Sequence, residues 1–115
     1  MSRVLVVVDG AGSGALAAEY LRLAGFEVVE AADATGALDA LASAAPPALL
    51  VADDRLPDMS GPELCARVRA KAPGTKVVLL SATGEAPPRD AVPDAWISKP
   101  FRPKDLLAEV RRLLA

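Results

Sequence analysis

Ala48-Leu49-Leu50-Val51-Ala52-Asp53-Asp54-Arg55-Leu56-Pro57-Asp58-Met59-Ser60-Gly61 is the stretch that decides how this chain folds. An apolar run that ends abruptly in acid and turn chemistry predicts a parallel strand buried on both faces, its C-terminal tip opening into a loop. In open α/β sheets that edge is where ligands bind, so Asp53 is a candidate site residue from its position alone. Three other polar residues stand at the same kind of place. Asp9 ends the first predicted strand, Ser81 the fourth and Lys99 the fifth.

Working outward, strands are expected at Val4 to Val8, Phe26 to Ala31, Ala48 to Asp53, Lys76 to Leu80 and Ala95 to Ser98. Helices are expected between them. The first spans 14 to 24, with Leu16, Tyr20, Leu21 and Leu23 at helical spacing and Gly25 as its stop. The second runs from Ala34 to Ser43 behind a cap at Asp33 or Thr35, with Leu38 and Leu41 inward. The third, opened by Gly61-Pro62, covers Glu63 to Ala72 with Leu64, Cys65 and Val68 inward. The last runs from Pro103 to the C-terminus with Leu106, Leu107, Val110, Leu113 and Leu114 inward. Strands alternating with helices of this length mean a parallel sheet covered on both faces through right-handed crossovers. The expected fold is α/β, a flavodoxin-like three-layer sandwich with five strands ordered 2-1-3-4-5. Pro87, Pro88 and Pro93 forbid a full helix over 83 to 94, so the fourth helix of such a fold is shortened or missing, with at most a turn at Arg89 to Val92.

The 115 residues are enough for a single domain over 1–115 and too few for two. A formal charge of −2, with basic residues that form no run, gives no reason to expect nucleic-acid binding. No apolar stretch approaches the roughly 20 residues that span a bilayer, and Met1-Ser2-Arg3-Val4 enters a strand with no room for a signal peptide. Cys65 is the single cysteine, which excludes an intrachain disulfide and fits a reducing, cytoplasmic setting; its place on an inner helical stripe makes it core. The absence of histidine makes a zinc site improbable and excludes His-dependent triads.

At neighbouring strand tips, Asp9 and Asp53 would put two carboxylates within reach of one hard divalent cation. Mg²⁺ is usually held by one or two carboxylates with water and phosphate. Lys99 supplies a point charge for phosphoryl oxygens and Ser81 a hydroxyl donor. A carboxylate can act as nucleophile and form an acyl phosphate when metal and lysine neutralise the charge that builds up.

With those residues in place the chain resembles, nearly end to end, the receiver domain of two-component response regulators of the chemotaxis-regulator kind. The resemblance is carried by Asp9, by Asp53-x-x-Leu56-Pro57-Asp58-x-x-Gly61, by Ser81-Ala82 and by Lys99-Pro100-Phe101, in order and each at a strand end. It implies that Asp53 accepts a phosphoryl group from a histidine kinase or phosphotransfer protein. It implies that Asp9, Asp53 and the Arg55 backbone carbonyl hold Mg²⁺, that Ser81 and Lys99 contact the phosphoryl oxygens, and that Ser81 and Trp96 occupy the switch positions. A downstream protein target, a monomer or weak dimer, no catalysis beyond self-phosphorylation and dephosphorylation, and a cis Lys99-Pro100 bond are further implications. Asp54 is the rival acceptor, set aside because its spacing to Leu56-Pro57 is one residue short and strand alternation turns it to the other face.

The chain departs from the family at Val8-Asp9-Gly10, where two adjacent acids are usual. Val8 replaces the first, which weakens the field for Mg²⁺. A pseudo-receiver, the same fold used as a phosphorylation-independent interaction module, is therefore the alternative. A second alternative rests on Gly10-Ala11-Gly12-Ser13-Gly14-Ala15, which fits a dinucleotide fingerprint with Glu30 as its ribose-binding acid. Asp9 would repel a pyrophosphate there, and this reading leaves Asp53, Pro57, Gly61 and Lys99 unexplained.

Overall fold

The computed structural model describes residues 3–7, 13–42, 45–81 and 93–115. In chain order these form β1 (Arg3–Val7), α1 (Ser13–Leu23), β2 (Glu27–Ala31), α2 (Ala34–Leu41), β3 (Leu49–Asp53), α3 (Gly61–Lys71), β4 (Lys76–Ser81), β5 (Ala95–Ser98) and α4 (Pro103–Leu114). All strand pairs are parallel and the sheet order is β2-β1-β3-β4-β5. The fold is the flavodoxin-like sandwich expected from the alternation. Val8 to Gly12, and 82–92 with the candidate turn at Arg89 to Val92, lie outside the described residues. Among those described there are four helices, and none falls between β4 and β5.

Between their ends the central strands are apolar, over residues 4–7, 49–52 and 77–80, because both of their faces are covered. Leu5, Val7, Leu50, Ala52, Val77 and Leu79 face α2 and α3. Val4, Val6, Leu49, Val51, Val78 and Leu80 face α1 and α4, where Leu21, Leu106 and Val110 meet them. The period-two alternation reaches the sheet's C-terminal edge. Asp53 continues the row of Leu49 and Val51, and Lys99 continues the row of Ala95 and Ile97, so both belong to the α1/α4 side.

Local chemistry sets the ends. Gly25 takes a φ of 96°, which only glycine adopts without strain, and the chain leaves α1 through it into β2. The Asp33 carboxylate accepts the Gly36 N–H at 2.7 Å and caps α2. The Ser60 hydroxyl accepts the Glu63 N–H at 3.1 Å and caps α3, which opens at Gly61-Pro62 as expected. In α4, Asp105 reaches back to accept the Arg102 N–H at 3.2 Å, with Pro103 in the first turn. As expected, Leu106 and Val110 are buried, while Leu107, Leu113 and Leu114 are only partly covered.

The inner face of α1 differs from its leucine pattern. Ala17, Ala18 and Leu21 are buried, whereas Leu16 and Leu23 are exposed. Alanines at i, i+1 and a leucine at i+4 form the stripe that faces the sheet, and their small size lets the helix approach it closely. Leu21 is 0% exposed and Leu23 is 80% exposed, two positions apart on one helix. Leu21→Ala should therefore cost about 2–5 kcal/mol and Leu23→Ala no more than about 0.5 kcal/mol, measured by urea denaturation.

Candidate functional site

β3 delivers Asp53 to the C-terminal edge with only 5% of its surface exposed. A carboxylate that deep requires a partner. Lys99 provides it: Nζ lies 2.9 Å from Asp53 Oδ1, with the lysine side chain 23% exposed. The approach has the length of an ion pair without the angles of a hydrogen bond, and Oδ1 is buried with no hydrogen-bond partner. Two candidates separated by 46 positions in the sequence thus meet across two strand spacings.

Ser81 is fully buried at the tip of β4, one register step beyond Leu80, which lies opposite Asp53. Its carbonyl accepts the Lys99 N–H at 2.8 Å, tying the lysine's own backbone to the neighbouring strand tip. The Lys99-Pro100 bond is cis, and Phe101 meets Tyr20 of α1 edge-on with ring centroids 6.4 Å apart. Trp96 is half-buried against the α2/α3 core, with a buried indole Nε1 that has no hydrogen-bond partner. Asp9 lies outside the described residues, as do Gly10 and Gly12 of the glycine fingerprint. Glu30, the ribose-binding acid of that alternative, is paired with Arg22 of α1.

The loop after Asp53 doubles back at once. The Asp54 N–H donates to the Leu80 carbonyl at 2.9 Å, and the Asp54 carbonyl accepts the Gly61 N–H at 2.8 Å. Arg55 bridges to Ser60 in antiparallel fashion and is exposed. The Leu56 N–H reaches the Met59 carbonyl at 3.1 Å. Gly61 packs directly on this turn. A Cβ there would fall 2.6 Å from the Asp53 carbonyl oxygen and 2.7 Å from Asp54 Cα, both backbone atoms.

Two residues hold this architecture by contacts the sequence did not disclose, Asp58 having stood there only as a motif position and Asp94 not at all. Asp58 accepts from the Ala34 N–H at 3.1 Å, the Thr35 N–H at 2.8 Å and the Thr35 hydroxyl at 2.6 Å. Those bonds, the Thr35 hydroxyl first, lower its pKa from the ordinary 3.8. Asp94 accepts the Val77 N–H at 2.7 Å and pairs with Arg69 of α3 at 3.2 Å, fastening the start of β5 to β4. Cys65 is buried in α3, and burial raises its thiol pKa, as a core cysteine's should be.

Residues 4–111 match the family described as the response regulator receiver domain. The chain is 35% identical over 97% of its length to the DNA-binding response regulator MtrA of Mycolicibacterium paratuberculosis, and spans about half (51%) of that relative. It is 31% identical to a CheY-like response regulator receiver domain from Methanospirillum hungatei JF-1, with a TM-score of 0.85, covering 99% of this chain and 94% of that one. The receiver domain of the sensor histidine kinase PA1611 from Pseudomonas aeruginosa PAO1, crystallised with magnesium in its active-site cleft, has the same fold. Its TM-score is 0.85 at 23% identity, covering 98% of this chain and 97% of that one.

Gly61→Ala should force the Asp53–Asp54 backbone to shift and cost about 1–3 kcal/mol, read by thermal or urea unfolding. Asp58 should contribute to acid stability. Its folded pKa is depressed, so its contribution is present above its unfolded value and lost as pH falls through the lower folded value. The stability difference between wild type and Asp58→Asn, followed by urea midpoint, should therefore shrink as pH falls below 3.8.

Proposed function

This chain belongs to the response regulator receiver domain family, and from that membership we propose that it accepts a phosphoryl group on Asp53 in a two-component phosphorelay. The observation that carries the proposal is the buried Asp53 carboxylate facing the Lys99 ammonium at 2.9 Å. An Asp53 oxygen would attack the phosphorus of a phosphohistidine on a histidine kinase or phosphotransfer protein. The new O–P bond forms as the N–P bond breaks, and the electron pair leaves with the imidazole. Nζ of Lys99 would follow the growing charge from the carboxylate to a phosphoryl oxygen, and the Ser81 hydroxyl would donate to another.

The family implies a divalent cation, and the residues fit one. Asp53 Oδ1 is a buried hard donor that makes no hydrogen bond. Among the described residues no three acids cluster, but Mg²⁺ needs only one or two carboxylates and completes its shell with water and phosphate. Asp9, Asp53 and the Arg55 carbonyl would hold it. When bound, the ion supplies charge neutralisation for the transferring phosphoryl group.

The donor and a downstream target are expected to be proteins. The chain carries 13 basic against 15 acidic residues, and no helix among the described residues is long and apolar enough to cross a membrane. MtrA is a DNA-binding response regulator, and this chain spans about half of it (51%). We assign it no nucleic-acid contact. The role proposed is that of a phosphoacceptor in a single domain over 1–115, self-catalysed at most. The same fold with a silent site, used for protein interaction alone, is the reading that Val8 favours.

Acetyl phosphate with Mg²⁺ should add one phosphoryl mass to the wild type, read by intact mass spectrometry. Asp53→Ala should lose the addition, and Asp54→Ala should keep it. An addition that survives Asp53→Ala would refute the acceptor. No addition to the wild type would count against the acceptor reading and in favour of the interaction-only one.

A further inference from the structure

We propose that Asp58 is a positioning residue, holding the loop of residues 54–60 and its Arg55 main chain in one orientation, with Thr35 of α2 as the anchor. The inference rests on the site reading above, in which the Arg55 carbonyl is offered to a divalent cation.

The Asp54 N–H fixes the first residue of the loop to the Leu80 carbonyl of β4 at 2.9 Å. Beyond it, Gly61 N–H to the Asp54 carbonyl, Leu56 N–H to the Met59 carbonyl and the Arg55–Ser60 bridge close within the loop or onto its own end and give it shape without aiming its far side. Leu56 and Met59 rest on the α2/α3 core, but apolar contact is non-directional and leaves tilt free. For the far side, direction comes from Asp58. One carboxylate oxygen takes the Ala34 N–H and the other takes both the Thr35 N–H and the Thr35 hydroxyl, so the carboxylate is held at three points. The anchor itself is rigid, because Ala34, Ala37 and Leu41 bury α2 against the sheet. With both oxygens engaged, Asp58 is an unsuitable metal ligand and a suitable strut.

The strut matters because of what lies three residues upstream. Mg²⁺ demands near-octahedral geometry at about 2.0–2.1 Å, so a carbonyl that tilts by a few tenths of an ångström is lost as a ligand. Groups that touch a metal ligand directly change affinity about 10–100-fold when removed. Asp58 acts through three residues of backbone, and its loss should weaken Mg²⁺ binding by about 3- to 10-fold, on the same scale.

The test uses the full chain, with Mg²⁺ affinity from isothermal titration calorimetry and amide exchange of the metal-free protein by NMR. In Asp58→Ala, affinity should fall about 3- to 10-fold and the Leu56 amide should exchange faster. Thr35→Val should show both effects in weaker form, since it keeps the two backbone donors. Val110→Ala, in the opposite core, should lower global stability and move neither readout. Unchanged Leu56 exchange in Asp58→Ala, or an affinity loss matched by Val110→Ala, would overturn the proposal and leave Asp58 as a cap for α2. If the wild type binds no Mg²⁺ at millimolar concentration, the metal reading of the site fails, and Leu56 exchange alone decides whether Asp58 orders the loop.

Discussion

A carboxylate buried at the edge of a sheet has to be neutralised, and the arrangement around Asp53 follows from how that is done. Its counter-charge comes from Lys99, one residue past a four-residue edge strand. A short edge strand is the least constrained element of a sheet, yet the 2.9 Å approach depends on its register. The fold fixes that register at both ends. Asp94 exchanges bonds with Val77, its N–H donating to the Val77 carbonyl at 2.8 Å while its carboxylate accepts the Val77 N–H. At the other end the Lys99 N–H closes on Ser81, and Phe101 packs against Tyr20. A slip of one residue would turn Lys99 to the α2/α3 side, away from Asp53.

The opposite wall of the edge is built by exclusion. Gly61 lets the start of α3 lie against the backbone of Asp53 and Asp54 at a distance that any Cβ would prevent. Its φ is not in the left-handed region, so the requirement is for space and not for conformation. The whole segment from Asp53 to Gly61 therefore behaves as one unit: a strand tip, a closed turn, a helix start that needs a glycine, and an acid that ties the turn to α2.

That division explains what the sequence could disclose. The strand tip was legible because a run of apolar residues ending in acid has few other physical meanings, and Lys99-Pro100-Phe101 was legible because it repeats that pattern at β5. Gly61 was legible as a motif position, though its reason, a 2.6 Å approach to a carbonyl, exists only in three dimensions. Asp94 was silent, and Asp58 was legible as a motif position but not in its role. An exposed acid after proline looks like any turn acid, and nothing in the chain marks a partner 23 positions away. The face of α1 was misdirected for a different reason. Counting leucines finds Leu16 and Leu23, whereas close packing against a sheet selects the alanines between them.

The chemistry of the pair also constrains which cation can serve. An arginine at position 99 would offer two parallel donors and lock the Asp53 carboxylate in a bidentate embrace, occupying the oxygen that would attack in the proposed transfer. The ammonium of lysine is a compact charge on a flexible stem, and here it stands against one oxygen only, without hydrogen-bond geometry. Such a contact neutralises the buried charge while holding the carboxylate loosely. For the phosphoacceptor role proposed above, the ion pair that stabilises the resting site must also be able to move with the charge. A monodentate lysine at the end of a pinned strand satisfies both demands, since the backbone stays fixed at Ser81 while the side chain swings.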